Sequence, residues 1–330
     1  MRRLVAAPDK FRGTASAPQV AAAMEWAAHD AGWACDRAPV ADGGEGLLDA
    51  VADHQQFARR RTRVTGPLGE PVDAEWLLDG RTAVIEMARA SGLVLAGGPE
   101  HNDPMEATTR GTGELIAAAI ASGARRVIVG LGGSATTDGG TGALEVLRPA
   151  RLAGVELVVA CDVTTRFTEA AREFGPQKGA TPGQVALLTR RLERLAVDYR
   201  GSGVDVSEIP GAGAAGGLAG GLATLGAALV PGFELVADVI GLRERVAAAD
   251  LVVTGEGCVD EWSFRGKAVG GVVDIADDEG VEVLVIAGQV LGEPPVPVRT
   301  LVERFGTERA MADATGCIAE LLAEYLAGTG

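Results

Sequence analysis

Short apolar runs that each end in a polar or glycine-rich turn recur along the 330-residue chain. Six stand out, and most lead toward a stretch with helical periodicity: RLVAAPDK, CDRAPVADGGEG, RRVIVGLGGSA, VELVVACDV, ADLVVTGEG and VEVLVIAGQ. Continuous Val, Ile and Leu without alternation are typical of strands in a parallel sheet that is covered on both faces. The pattern therefore predicts an α/β protein built on a doubly wound, mostly parallel sheet.

Two stretches interrupt this alternation of strands and helices. Residues 60–88 have the pattern of an antiparallel meander, with Asp79-Gly80 as a hairpin turn. Residues 164–240 contain helices and the run PGAGAAGGLAGGLATLGAAL. We interpret both stretches as parts of a second, smaller α/β domain inserted into the sheet domain. The predicted boundaries are residues 1–59, 106–163 and 241–330 for the sheet domain and residues 60–105 and 164–240 for the inserted domain.

Two helices carry readable start signals. Ser16 followed by Gln19 predicts a capping box, and Thr181, Pro182 and Gln184 predict a second helix start of the same kind. Lys178 then lies in the loop just ahead of a helix N-terminus. Such a position attracts anions.

The charge balance limits the partners. With 45 acidic and 30 basic residues the net charge is −15, which argues against duplex nucleic acid or an anionic membrane as a partner. Only three residues are lysines, against 27 arginines, and each lies in a glycine-containing segment: Lys10, Lys178 and Lys267. A compact ammonium in such a segment suits phosphate or carboxylate, so we expect at least two of them to contact an anion.

The cysteines and the apolar runs indicate the compartment. The four cysteines lack C-x-x-C spacing, so the sequence predicts neither a zinc site nor a disulfide framework. The apolar stretch near the start is too short for a signal peptide, and no run approaches the length of a membrane span. We therefore expect a cytoplasmic protein.

Polar residues follow the predicted strands at the edge where ligands bind in open parallel sheets, outside the carboxyl ends of the strands. An aspartate there can simply cap the next helix, but six such turns on one edge favour a functional site. The residues expected to converge are Asp9, Lys10, Arg12, Asp42, Glu45, Ser134, Thr136, Asp138, Asp162, Glu256 and Asp260.

The segment GLGGSATTDGG, residues 130–140, is the most glycine-rich of these turns. Glycines allow positive φ and close approach to a ligand, and successive N–H groups bind anions, so the segment predicts a phosphate-binding loop. The P-loop pattern does not occur in the chain. The segment also fits G-x-G-x-x-A through Gly130, Gly132 and Ala135, which keeps a dinucleotide fold open. A weaker match in PGAGAAGG is equally compatible with tight helix packing.

The residue types favour phosphoryl transfer over hydride transfer. Phosphoryl transfer needs cations on the moving group, carboxylates for Mg²⁺ and a positioned acceptor. The turns supply carboxylates and the glycine segments supply lysines. Hydride transfer would need an acid that binds the adenine ribose and a proton donor near the nicotinamide, and neither is convincing in this sequence.

The ordered motifs resemble those of the bacterial type-I glycerate kinases from about residue 5 to about residue 290. The matching segments are APDKFRGTASA, VADGGEG, VTGPLGEPV, IEMARASGL, RGTGELI, GLGGSATTDGG, FGPQKGAT, PGAGAAGGLAGGL and VTGEGCVDEWSFRGK. The resemblance implies phosphorylation of D-glycerate by ATP with Mg²⁺, with 2-phosphoglycerate the usual bacterial product. It also implies a two-domain α/β fold whose active site lies in the interdomain cleft.

The sequence departs from the family pattern at several places, and it is shorter than the family norm between Leu147 and Val155. Arg12 stands where the family usually has Lys, and Thr137 stands where it usually has Asn. The segment 164–173 lacks the usual Asn-Pro-Leu. A changed loop there could contact substrate, so another small sugar acid stays open as the acceptor. The sequence also leaves open a nucleotide-binding regulatory protein on this scaffold and a dinucleotide-dependent oxidoreductase.

We assign candidate roles from the chemistry of these residues. The catalytic candidates are Lys10, Asp42 and Asp260. The substrate-binding candidates are Asp9, Arg12, Glu45 and Lys178. The candidates for binding nucleotide phosphates are Gly132, Gly133, Ser134, Thr136, Asp138, Gly139, Glu256 and Lys267. Asp162 and Asp260 are the candidates for Mg²⁺. The expected partners are ATP and D-glycerate, with no nucleic acid or membrane, and we expect a monomer or homodimer.

Overall fold

The computed structural model describes residues 1–53, 57–147, 152–264 and 266–328. The strands are β1 (Arg3–Ala6), β2 (Ala34–Arg37), β3 (Ala58–Thr65), β4 (Pro71–Asp79), β5 (Thr82–Glu86), β6 (Arg126–Gly130), β7 (Glu156–Ala160), β8 (Ala228–Val230), β9 (Leu251–Val259), β10 (Glu282–Val290) and β11 (Val298–Thr300). The helices are α1 (Ala17–Asp30), α2 (Leu47–Ala52), α3 (Ala88–Ser91), α4 (Arg110–Ala121), α5 (Thr141–Val146), α6 (Ala170–Phe174), α7 (Pro182–Gly201), α8 (Ala214–Ala223), α9 (Gly232–Val239), α10 (Leu242–Ala247), α11 (Ala268–Glu279), α12 (Leu301–Phe305), α13 (Thr307–Ala312) and α14 (Ala314–Gly328).

The chain forms two compact units. The first unit comprises Met1–Asp42, Asp49–Gln55 and Phe233–Gly330, and the second comprises Gly43–Leu48 and Gln56–Gly232. The second unit is thus an insertion in the sequence of the first, and it is the larger of the two. Both contain mostly parallel strands with helices, which confirms the α/β class predicted from the sequence.

The first unit is built on a five-stranded parallel sheet with the strand order β11-β10-β9-β1-β2. Its central strands are apolar on both faces because helices cover both sides: Leu4, Val5 and Ala6 of β1 are fully buried. On one face α1 and α14 pack into the core through Met24 and Leu322. The predicted start of α1 is confirmed, since Gln19 accepts a hydrogen bond from the Ser16 N–H at 2.9 Å.

The second unit is built on a six-stranded sheet with the order β3-β4-β5-β6-β7-β8. Strands β3, β4 and β5 are antiparallel neighbours, which confirms the predicted meander and its turn at Asp79-Gly80. From β5 to β8 the strands are parallel, with Val84 opposite Ile128. Helices α4, α5 and α8 pack against this sheet through a core that includes Leu115 and Leu218.

The predicted domain boundaries differ from this division. Residues 106–163 were expected in the sheet with β1, but β6 pairs with β5 and β7 pairs with β8, so that expectation is wrong. The physical reason is that an apolar run specifies a buried strand but not its neighbours, because parallel pairing joins residues far apart in the chain. The predicted single sheet edge is therefore two edges, one in each unit.

Within the residues that the structure describes, no helix is both long enough and apolar enough to cross a membrane.

Candidate active site

The first unit has a topological switch point between β1 and β9. The chain moves one way across the sheet from β1 to β2 and the other way from β9 through β10 to β11. Ligands in open α/β sheets bind at such a point, outside the carboxyl ends of the strands. The segments Asp9–Arg12 after β1 and Glu256–Cys258 at the end of β9 lie there, and both line a cavity of about 460 Å³.

Close backbone packing shapes the floor of this cavity. A Cβ on Gly288 of β10 would lie 2.3 Å from the Gly257 carbonyl oxygen of β9, so only glycine allows the two strands to approach this closely. Gly257 in turn lies against the backbone of Phe11 and Arg12. The cavity floor is thus assembled from backbone brought together by the sheet.

Lys10 lies between two carboxylates at this edge. Its Nζ is 3.6 Å from Asp9 Oδ1 and 3.7 Å from Asp42 Oδ1. The Asp9 side chain also accepts a hydrogen bond from the Lys10 backbone N–H at 2.6 Å. Lys10 and Asp42 were predicted to be catalytic and Asp9 to bind substrate, and the structure brings all three together.

Two carboxyls at the cavity, the buried Asp9 and the half-buried Glu256, have perturbed pKa values. Burial raises the pKa of Asp9 to about 6, against the opposing effect of Lys10, and the negative charges of Asp42 and Glu256 raise it further. Burial also raises the pKa of Glu256, opposed by a hydrogen bond from Ser263 and by Lys267. Clustered carboxyls with raised pKa values in a cavity mark a candidate catalytic centre.

Arg12 and Lys267 add cationic charge to the same cavity. Both are exposed, and Lys267 is the residue that precedes the first turn of α11. The N-terminus of this 12-residue helix carries the positive end of the helix dipole. The cavity can therefore hold an anion on one side and a metal or a proton on the other.

A second groove in the first unit has a volume of about 680 Å³. Its rim carries four carboxylates: Glu234, Asp238, Glu244 and Asp274. Its arginine, Arg243, already forms ion pairs with Asp278 and Glu279. This groove is larger than the cavity at the switch point, but its charge is unsuited to an anionic substrate.

The glycine-rich loop of the second unit follows β6 and is held by bonds to its carbonyl groups. Leu93 N–H donates to the Gly133 carbonyl at 2.8 Å, and the Tyr199 hydroxyl donates to the Gly139 carbonyl at 2.9 Å. Gly132 packs against the backbone of Gly44 and Glu45, where a Cβ would lie 2.7 Å from Gly44 Cα. The second unit thus brings this loop and the exposed residue Glu45 together.

Asp138 lies inside this loop. Its Oδ2 accepts hydrogen bonds from the N–H and hydroxyl of Thr109 at 2.9 and 2.8 Å, and its Oδ1 accepts one from the Gly140 N–H at 3.0 Å. The sequence-based prediction assigned Asp138 to nucleotide phosphates. In the structure its carboxylate instead closes the loop and connects it to the start of α4 and α5.

Lys178 is almost completely buried, with 3% of its surface exposed, although we predicted that it binds substrate. Its ammonium donates a hydrogen bond of 2.7 Å to the Thr136 carbonyl. Burial lowers the pKa of Lys178 to about 7, with Asp138 acting in the opposite direction. The capping box at Thr181 that precedes α7 is confirmed, and Lys178 lies in the short 3₁₀ turn ahead of it.

The second glycine-rich run forms a platform for this loop. Ala215, Gly216 and Gly217 have left-handed backbone conformations within α8. A Cβ on Gly216 would lie 2.0 Å from the Thr136 carbonyl oxygen, so this run packs backbone against backbone on the loop. Ala215 has a φ of 52°, a strained value for a residue with a side chain. The structure therefore favours the interpretation of this run as a tightly packed segment over its interpretation as a second dinucleotide-binding motif.

The two predicted metal ligands lie in different units. Asp162 Oδ1 accepts a hydrogen bond of 2.7 Å from the Gly232 N–H at the start of α9. Asp260 Oδ1 accepts hydrogen bonds from the N–H groups of Trp262 and Ser263, both at 2.9 Å. Burial raises the pKa of Asp260, but these hydrogen bonds outweigh burial and hold the pKa below its ordinary value.

Across the described ranges, no group of three or more His, Cys, Asp or Glu side chains is arranged to enclose a metal. This does not conflict with Mg²⁺, which is usually held by one or two carboxylates together with substrate phosphates. Asp42 and Glu256 at the cavity supply oxygen donors of the type that Mg²⁺ prefers. They therefore fit the metal better than the predicted pair.

Several residues of the site were missed from the sequence. Asn102 donates to the carbonyls of Ala135 and Lys178 at 3.0 and 2.9 Å. Tyr199 reaches the loop from α7, and Gln289 lines the cavity from β10. Asn102 and Tyr199 lie in no polar or glycine-rich turn after a predicted strand. A signal was present only for Gln289, which ends the apolar run VEVLVIAGQ.

Comparison with known proteins assigns the chain to a family. The sequence profile described as the glycerate kinase family matches residues 4–150 and 147–301. The chain belongs to the glycerate kinase family. Glycerate 2-kinase of Escherichia coli (strain K12) is 41% identical over an alignment 328 positions long, and the match covers 87% of this chain and 85% of that protein. Glycerate kinase of Bacillus subtilis (strain 168) is 40% identical over an alignment 326 positions long, and the match covers 87% of this chain and 85% of that protein.

A solved structure from Salmonella typhimurium LT2 that bears the name of glycerate kinase 2 shares the fold. It is 35% identical, with a TM-score of 0.85 over 100% of this chain and 98% of that one. The family identifies the protein as an enzyme, a kinase, and confirms the resemblance seen in the motifs. Membership in a kinase family implies a nucleotide substrate and argues against an oxidoreductase.

Proposed function

We propose that the protein transfers the terminal phosphoryl group of ATP, with Mg²⁺, to the C2 hydroxyl of D-glycerate. The cavity at the switch point carries this proposal, because Asp9, Lys10 and Asp42 meet there within ion-pair distance. The relatives support glycerate as the acceptor, and the name of the Escherichia coli relative supports C2 as the phosphorylated carbon.

Asp9 is the group that accepts the proton of the attacking hydroxyl. Its carboxylate is buried at the cavity, and its pKa of about 6 leaves it ionised at neutral pH yet more basic than an exposed aspartate. In protein kinases, a positioned aspartate of the catalytic loop plays this part. The sequence-based candidate Asp260 is less suitable because its pKa is lowered and two N–H groups occupy its Oδ1.

Lys10 and Arg12 bind the carboxylate of the acid. Lys10 also neutralises the repulsion between Asp9 and Asp42 that would otherwise build up in the cavity. Mg²⁺, when bound, spreads the charge of the transferred phosphoryl group. Asp42 and Glu256 are the residues that would hold it, in place of the predicted Asp162 and Asp260.

Each unit contains one element that is suited to binding a nucleotide phosphate. One is Lys267 at the N-terminus of α11 in the first unit. The other is the loop Gly132–Gly139 of the second unit, with Ser134 and Thr136 among its residues. Unpaired backbone groups support phosphate binding by this loop: the N–H groups of Gly132, Gly133 and Ser134 donate to no protein acceptor in the ranges the structure describes.

The test is turnover of ATP with a panel of short hydroxy acids. We expect ADP release, measured by a coupled assay, with D-glycerate and little with L-glycerate, glycolate or D-lactate. ³¹P NMR of the product fixes the carbon, because a phosphate on C2 couples to one proton and a phosphate on C3 couples to two. Absence of turnover with D-glycerate would contradict the proposal, and a triplet would move the phosphate to C3.

Variants connect that activity to the cavity. Lys10→Met removes the ammonium between Asp9 and Asp42 and is expected to abolish most turnover. Arg63→Met, which removes an exposed cation of β3 in the second unit, is the matched control and should leave turnover unchanged. Equal activity of both variants would show that the cavity is not the reaction site.

A kinase acting on a larger sugar acid is the second candidate. The cavity volume of about 460 Å³ favours it, because a three-carbon acid occupies only part of that space. The same panel, extended to four-carbon sugar acids, separates the two candidates by comparing kcat/KM.

A further inference from the structure

The glycine-rich loop of the second unit has its carbonyl groups held by the protein. Leu93 N–H binds the Gly133 carbonyl, the Asn102 side chain binds the Ala135 carbonyl and the Lys178 ammonium binds the Thr136 carbonyl. These three donors come from three separate segments of the chain. Three of the four carbonyl groups from residue 133 to residue 136 are thus held by the protein.

A fixed carbonyl also fixes the next N–H group. The peptide bond is planar and trans, so the C=O of one residue and the N–H of the following residue point in opposite directions. The bonds to Gly133, Ala135 and Thr136 therefore direct the N–H groups of Ser134, Thr136 and Thr137 away from those donors. In the described part of the chain, none of these three N–H groups donates to a protein acceptor.

Lys178 is the one charged donor among the three, and its side chain is enclosed by protein. Its side chain is 3% exposed, its ammonium is 2.7 Å from the Thr136 oxygen, and the Phe174 ring centroid lies 6.0 Å from Nζ. Asn102 donates to the Lys178 carbonyl as well as to the Ala135 carbonyl, so it connects the same two segments. Burying a lysine is costly, and its hydrogen bond to this loop offsets part of that cost.

Thr137 supplies an independent observation at the same place. It is fully buried, and its hydroxyl oxygen makes no hydrogen bond with any described residue. Native proteins rarely leave such groups unpaired, and the exceptions are often functional or bind a group that the protein chain does not provide. The unpaired hydroxyl and the unpaired N–H both belong to Thr137, the residue that follows the Thr136 carbonyl held by Lys178.

We propose that Lys178 is a positioning residue of the phosphate-binding loop: by holding the Thr136 carbonyl, its ammonium sets the direction of the Thr137 N–H toward a nucleotide phosphate. This inference rests on the proposed function, in which the loop binds phosphate. It replaces the predicted contact between Lys178 and substrate, because the buried ammonium acts through the loop backbone.

The test compares Lys178→Met with Lys178→Gln. Met fills most of the lysine volume but donates no hydrogen bond, whereas Gln keeps an N–H donor without the charge. We expect KM for ATP to rise roughly 10- to 100-fold in Lys178→Met, the range for losing a hydrogen bond to a charged group, with KM for D-glycerate changed less than about 3-fold. Lys178→Gln should recover a large part of the loss.

A stability control and a direct readout of the loop accompany the kinetics. Ile128→Val removes one methyl group from the core of β6 in the same unit and lowers stability without touching the loop. Its KM for ATP should equal that of the wild type. Hydrogen–deuterium exchange of residues 132–140, measured by mass spectrometry, should be faster in Lys178→Met than in Ile128→Val.

Failure of this inference is distinguishable from failure of the proposed function. Competition of inorganic tripolyphosphate with ATP in the wild type tests phosphate binding by the enzyme and does not depend on Lys178. If the wild type turns over and tripolyphosphate competes, but Lys178→Met keeps its KM for ATP and its exchange rates, the positioning role is refuted. Should Lys178→Met fail to fold, Lys178→Gln decides: a KM for D-glycerate raised as much as that for ATP would contradict the inference.

Discussion

Replacing Asp9 with asparagine is expected to make the first unit more stable and the enzyme much slower. The pKa of Asp9 lies at about 6 in the folded protein, against an ordinary value of 3.8, chiefly because the carboxyl is buried. A folded-state pKa that is raised means that the protonated form is favoured by folding. The stability that this group contributes is therefore present below about pH 4 and is lost as the pH rises through 6.

The magnitude follows from the size of the shift. A shift of about two units corresponds to about 3 kcal/mol at 1.36 kcal/mol per unit, so the ionised carboxylate weakens the folded state by up to that amount at pH 8. Asparagine keeps an oxygen that can accept the Lys10 N–H bond but does not ionise. Asp9→Asn should thus raise the free energy of unfolding by about 1–3 kcal/mol at pH 8 and by much less near pH 4.5.

Urea denaturation followed by tryptophan fluorescence measures this change. Trp26, Trp33 and Trp262 lie in the first unit and Trp76 in the second, so most of the signal reports the unit that contains Asp9. Turnover of the same variant should fall roughly 100-fold or more if Asp9 accepts the proton. Asp73→Asn, an exposed carboxylate of β4, is the control and should change neither quantity. Lower stability at pH 8, or wild-type turnover, would refute the reasoning.

Three further predictions concern other parts of the site. Lys267→Met should raise KM for ATP about 10-fold or more in steady-state kinetics, because the ammonium and the N-terminus of α11 act on the same phosphate. Gly216→Val should cost about 3 kcal/mol or more in urea denaturation, because φ is +66° and a Cβ would lie 2.0 Å from the Thr136 oxygen. Its control, Gly183→Ala at an open position of α7, should be neutral or stabilising. Asp260→Asn should keep turnover within a few-fold of wild type, and a loss of about 100-fold would restore Asp260 as the base.

The placement of several residues at the first-unit cavity could be predicted from the sequence. Asp9, Lys10 and Asp42 follow predicted strands, and parallel strands place such residues at one edge. The same logic pointed to Glu256, and the placement of lysines in glycine-containing segments pointed to Lys267. The local sequence pattern was sufficient to place these residues because each lies within a few positions of the end of a strand or the start of a helix.

The second unit shows where local pattern is insufficient. The run VIVG predicts β6 correctly, but nothing in it says that β5 and not β1 is its neighbour. Whether a polar side chain points inward also depends on distant residues. Lys178 turns inward because it finds the Thr136 carbonyl 42 positions earlier in the chain. Asp138 does so because Thr109 supplies two donors.

The central question is where glycerate binds. An experimental structure of the protein with D-glycerate, Mg²⁺ and a non-hydrolysable ATP analogue answers it directly. The account predicts the glycerate carboxylate about 3 Å from Lys10 or Arg12, with the C2 hydroxyl beside Asp9. Glycerate bound in the groove lined by Phe233 and Arg243, with the cavity at the switch point empty, would contradict it.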